Sequence, residues 1–71
     1  MNWTPRDYDR LERAIADRRR IQLIHNGSEL VILPDRLRTD FGEEVLVAKH
    51  PGTGHRLEVP LDEIDRFEVV S

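Results

Sequence analysis

The chain contains no cysteine. Neither disulfides nor thiolate metal sites can support its core, so burial and hydrogen bonding alone must hold the fold. Aromatic residues are few, with one Trp, one Tyr and two Phe. Sequence-tolerant nucleic-acid binders stack bases on exposed rings, and a chain that needs its rings for a core has few to offer. No apolar run approaches the roughly 20 residues of a membrane span, and no secretory signal pattern opens the chain. The cytoplasm is the simplest location and no membrane contact is expected. Glycine is also sparse, with four in all. The stretch Gly52-Thr53-Gly54 leads into a strand pattern instead of a helix start, so it reads as a turn and not as a phosphate cradle. No Ser has an activating context for nucleophilic chemistry. Neither an enzyme nor a cofactor is expected.

What is present begins with a helix whose start is written out in full. Thr4-Pro5-Arg6-Asp7 supplies a cap, a proline where its missing N–H costs nothing, and a carboxylate three residues on that can reach back to the cap. Trp3 and Tyr8 are spaced to staple the entry of the chain. Tyr8, Leu11 and Ile15 then fall on one stripe with Ala14, which predicts an amphipathic helix over about residues 5–18. Such a short helix is marginal alone and needs a surface to cover.

Ile21–His25 and Ser28–Leu33 flank Asn26-Gly27, the strongest short hairpin signal. A two-residue turn sets His25 opposite Ser28, Leu23 opposite Leu30 and Ile21 opposite Ile32. Ile21, Leu23, Leu30 and Ile32 therefore share the core face. Pro34-Asp35 is expected to end the second strand, with residues 34–43 forming a polar connection. Strands follow at Glu44–His50 and His55–Val59 around Pro51-Gly52-Thr53-Gly54, with Leu46, Ala48, Leu57 and Val59 inward. Pro60 marks a strand end or an edge. Arg66–Val70 forms the last strand, with Phe67 and Val69 inward. On the outer face Ile24, Val31, Val45 and Val47 form an apolar strip that the helix or a second subunit would have to cover.

With 71 residues there is room for one small domain, residues 1–71, and oligomerisation is a reasonable extra source of stability. The expected fold is mainly β with one N-terminal helix: a small five-stranded antiparallel barrel of Sm-like or SH3-like plan, capped by the helix, with an open five-stranded sheet carrying the helix across one face as the alternative. Charge is segregated along the chain. Residues 1–20 carry six Arg against four acids, whereas residues 21–71 carry five Lys/Arg against ten acids, within a net charge of -3. Overall acidity disfavours a sequence-independent nucleic-acid binder but leaves room for a local basic patch.

Asp7-Tyr8-Asp9-Arg10-Leu11-Glu12, the Asn26-Gly27 hairpin and Leu61-Asp62-Glu63-Ile64-Asp65-Arg66-Phe67 occur in the order seen in the Rho-binding antiterminator (Rof) family, which the chain resembles. The resemblance implies an Sm-like protein that binds the transcription terminator Rho and obstructs its RNA site. It would place Asp7, Asp9 and Glu12 against the partner. The six arginines of residues 1–20 depart from an acidic, RNA-mimicking helix, and surface ion pairing gives these carboxylates a purely structural use. Leu11–Arg20 and Val45-Leu46-Val47-Ala48 are also similar to WYL domains, Sm-like regulatory modules of bacterial transcription factors, although Glu44 and Val45 stand where the namesake Trp and Tyr would fall. That resemblance implies a ligand sensor. Lys49-His50 echoes the Lys-His pair of Hfq-type RNA binders, in a different loop. An RNA-binding oligomer would use Arg18, Arg19, Arg20, Lys49 and Arg56, although Arg18–Arg20 also suit the negative end of a helix. His25, His50 and His55 flank turns, and nothing in their spacing specifies a zinc site.

Overall fold

The computed structural model describes residues 1–70. Helix α1 spans Pro5–Ala16. Five strands follow: β1 (Ile21–His25), β2 (Ser28–Asp40), β3 (Glu43–Lys49), β4 (Arg56–Pro60) and β5 (Ile64–Val69). A single 3-10 turn, Leu61–Glu63, joins the last two. Among the described residues no helix is long and apolar enough to cross a membrane.

The helix start forms as its residues require. The Thr4 hydroxyl accepts from the Asp7 amide at 3.2 Å, and Asp7 Oδ2 accepts from the Thr4 amide at 3.0 Å, a reciprocal capping box. Trp3 and Tyr8 staple it, with ring centroids 5.3 Å apart. Trp3 also stacks on Phe67 at 5.3 Å and donates from Nε1 to the Leu61 carbonyl at 3.0 Å, tying the entry of the chain to the last turn of the fold. The helix ends two residues before the expected boundary, because Arg18 adopts φ 54.

The strands form one antiparallel sheet in the order β4-β3-β2-β1-β5. The β1–β2 register is the expected one, with Ile21 opposite Ile32, Leu23 opposite Leu30 and His25 opposite Ser28. Asn26 and Gly27 both take positive φ, as the two-residue turn demands. The β3–β4 register likewise pairs Leu46 with Val59 and Ala48 with Leu57. The edge strands β4 and β5 share no ladder, so the expected barrel is not closed by hydrogen bonds.

Two further expectations are corrected. Residues 34–43 are not a polar connection: β2 runs on through Pro34 to Asp40, with a bulge between Pro34 and Arg36. The bulge absorbs the missing proline N–H and bends the strand, so that its first half pairs with β1 and its second half with β3. The Val45–Val47 half of the outer apolar strip does not await a cover either. Val45 and Val47 are already buried. Arg38 lies opposite Val45 on one side of β3 and Glu58 opposite Val47 on the other, so their 2.7 Å ion pair crosses over that strand. Ile24 is half-buried and Val31 exposed.

The core lies between helix and sheet. Leu11 and Ala14 from the helix meet Ile21, Leu23, Ile32, Leu46, Ile64 and Phe67. Ile64 and Phe67, three apart, both point inward because the β1–β5 pairing shifts register between Ile24 and His25.

Candidate functional site

The acidic residues at the helix start divide by use. Asp7 is committed to the cap, accepting also from the Thr4 hydroxyl at 2.9 Å and pairing with Arg10 at 3.7 Å. The Thr4 backbone and hydroxyl bonds, together with nearby Arg10 and Arg6, hold its carboxyl below the ordinary range. Asp9 pairs with Arg13 at 3.6 Å, one turn along. Glu12 is exposed and makes no ion pair among the described residues. The three carboxylates therefore do not act as one free acidic patch.

At the other end the helix closes in a Schellman turn. The Arg18 amide bonds the Ile15 carbonyl at 3.2 Å and the Arg19 amide bonds the Ala14 carbonyl at 2.9 Å. The left-handed residue of that motif is normally glycine, and here it is arginine, at φ 54. The consequence is a cation held at the helix terminus over a hollow of about 360 Å³. Arg18 and Lys49 line it with Asp35, above Ile15, Leu33 and Pro34. Arg56 stands directly across from Lys49 on the neighbouring strand and pairs with Glu58 at 3.3 Å. Three of the five cations read from the sequence thus gather at or beside one concavity. Arg19 lines a different hollow, on the β5 side of the helix. Arg20 is exposed, and its carbonyl accepts from Val70.

The bend in β2 is what builds this concavity, since Pro34 and Asp35 come from the segment expected to be a loop and Leu33 is the strand residue just before it. The sequence signals for it were the alternation through Leu37 and Thr39 and the tight Phe41-Gly42 reversal, where both residues take positive φ.

Two of the three histidines, His25 and His50, are occupied locally. His25 Nε2 lies 3.1 Å from Glu63 Oε1, which also accepts from Asn26 Nδ2 at 3.3 Å. His50 Nδ1 accepts from the Gly52 and Thr53 amides at 3.2 and 3.4 Å, organising its own turn. Among the described residues no three His, Cys, Asp or Glu side chains converge as metal ligands.

No protein-family model and no curated protein matches the chain. Among solved structures it is similar to proteasome accessory factor B/C (PafBC) of Arthrobacter aurescens, with a TM-score of 0.79 at 17% identity. The match covers 97% of this chain and 12% of that one. At that identity the likeness is one of fold.

Proposed function

We propose that the chain is a regulatory binding module of WYL type, working in the cytoplasm, that takes a phosphate-bearing ligand in the Arg18–Lys49 hollow. The fold likeness supports the WYL comparison over the Rof-like one. The observation that carries the reading is the arginine at the left-handed position of the helix terminus. It sets Arg18, whose guanidinium offers a fork of donors suited to phosphate oxygens, in one lining with Lys49 and Asp35 over the apolar Ile15, Leu33 and Pro34. The volume lies within the range of small-molecule sites. Thermal shift with nucleotides and with short RNA is the test. A bound ligand at about 100 times its Kd should add about 2.7 kcal/mol to stability, and Arg18→Ala and Lys49→Ala should each abolish the shift. RNA that binds with a steep salt dependence while nucleotides do not would favour the RNA-binding reading. No shift with either class removes the module from this role.

A Rho-type protein partner is the second reading. What favours it is that Asp9 and Glu12 are exposed near the helix start, Glu12 without an ion-pair partner among the described residues. Titration against Rho, with and without RNA, decides it; absence of binding at tens of micromolar, roughly -6 kcal/mol, eliminates it.

A further inference from the structure

The turn between β2 and β3 breaks three local preferences together. Phe41 adopts φ 51, a left-handed conformation in which Asn, Asp and Gly predominate and bulky side chains are disfavoured. Its relative exposure is 109%, so no burial within the chain offsets that conformation. Asp40 and Glu43 stand opposite one another across the turn, a like-charge pair that opposes the hairpin. Arg38 partly relieves Asp40, at 2.7 Å. Local rules broken together, without gain to folding, mark a surface kept for another use.

A surface that fits this tip lies toward the opposite end of α1. Between the last turns of the helix and the end of β5 is a hollow of about 280 Å³. Ala14, Val69 and Val70 give it an apolar floor, and Arg10, Arg13 and Arg19 rim it, with Asp17 the acid among them. Val70 is apolar yet exposed. A cavity of about 150 Å³ already admits a benzene ring, so a phenyl group fits. The tip cannot reach its own hollow, because Gly42 and Glu43 gather beside Trp3 and Tyr8 at the helix start.

We infer that Phe41 of one molecule inserts into this hollow on a second copy of the chain, with Asp40 and Glu43 meeting Arg13 and Arg19. An apolar knob in an acidic collar complements an apolar floor in a basic rim. Because two different patches meet, the contact is heterologous: every molecule keeps a free knob and a free hollow, and association continues past the dimer into a ring or chain. This contact is separate from the Arg18–Lys49 hollow.

Sedimentation velocity of the full chain from about 10 µM to 1 mM, a span that covers weak to moderate affinities, tests it. Mass should rise with concentration beyond the dimer and fall back as salt is raised. Phe41→Asn and Arg19→Glu should each weaken association at least about tenfold. Both positions are exposed, so the variants should remain folded by circular dichroism. Mixed together, the two variants should form a 1:1 dimer that grows no further, since only one knob and one hollow remain intact. A wild type that stays monomeric throughout, a Phe41→Asn protein that still associates, or a mixture that stays monomeric overturns the inference.

Discussion

Arg18 offers a way to separate what a residue does for the fold from what it does for binding. Its φ of 54 costs a non-glycine residue roughly 1–2 kcal/mol. Glycine at that position escapes the clash but brings roughly 0.5–1 kcal/mol of extra chain entropy to the unfolded state. Arg18→Gly should therefore be more stable than Arg18→Ala by about 0.5–1 kcal/mol. Removing the cation from the negative helix end costs about 0.3–1 kcal/mol in either variant. Wild type and Arg18→Gly should thus nearly coincide, with Arg18→Ala below both. For a domain this small, 1 kcal/mol moves Tm by about 4–8 °C, so the Gly–Ala gap is readable by calorimetry. Anion binding should fall equally in both variants, since each lacks the guanidinium. Equal melting of the Gly and Ala variants would refute the backbone argument. Ligand binding retained in both would refute the assignment of Arg18 to the site.

The cap and its pH dependence are linked. Thr4→Ala should cost about 1 kcal/mol, measured by denaturant melting. Asp7 is held below its usual 3.8 by its bonds from Thr4. A lowered folded-state value means its contribution is complete above the unfolded value and is lost as pH falls through the folded one, so Asp7→Asn should flatten the acid limb of the stability profile below about pH 4. The Tyr8 hydroxyl donates to Glu44 Oε1 at 2.7 Å, and that bond, burial and the Glu44 charge raise its pKa above the usual 10.0. Its contribution is therefore present below pH 10 and lost as pH rises through the folded value. Absorbance titration should show an elevated phenolate midpoint that returns toward the ordinary value in Glu44→Gln. Trp3→Phe keeps a ring over Phe67 but loses the bond to the Leu61 carbonyl, and should lower stability by about 1 kcal/mol.

The helix start was legible because Thr4, Pro5 and Asp7 each have one good use there. The first hairpin was legible because Asn-Gly fixes both turn and register, leaving no freedom to place Leu23 or Ile32 elsewhere. The run of β2 was not. Pro34-Asp35 is a sound stop signal for a strand that must donate at every other residue, and only a bulge, whose existence depends on the β3 partner, lets the strand continue. The burial of Val45 and Val47 was hidden for a similar reason: the strand they lie on is crossed by an ion pair between Arg38 and Glu58, 20 positions apart in sequence. Of the candidate site, the cations were visible but their grouping was not. Which of Arg18, Arg19 and Arg20 faces Lys49 is set by a left-handed turn that an arginine gives no reason to expect.

Among the described residues three that are not glycine take positive φ, and their contrast sharpens the functional reading. Asn26 is the residue its turn prefers, and folding accounts for it. Arg18 and Phe41 are not, and in a domain of this size, whose core leaves a thin margin, two strained turns are a material cost. Neither side chain is buried to compensate. Each lies at one of the two proposed contacts, the anion hollow and the apolar knob. If function is what holds them there, the strain at the two turns should be independent, because Arg18 follows the helix end while Phe41 sits beside its start. Arg18→Gly combined with Phe41→Asn should then show stability changes that add within about 0.3–0.5 kcal/mol, while ligand binding and self-association are both lost. Asn26→Phe provides the converse: it should impose the same strain at a turn with no proposed contact, lowering Tm and leaving both binding activities intact. If Asn26→Phe proved harmless to stability, left-handed bulk would be cheap in this fold and the strain at Phe41 would carry no functional meaning.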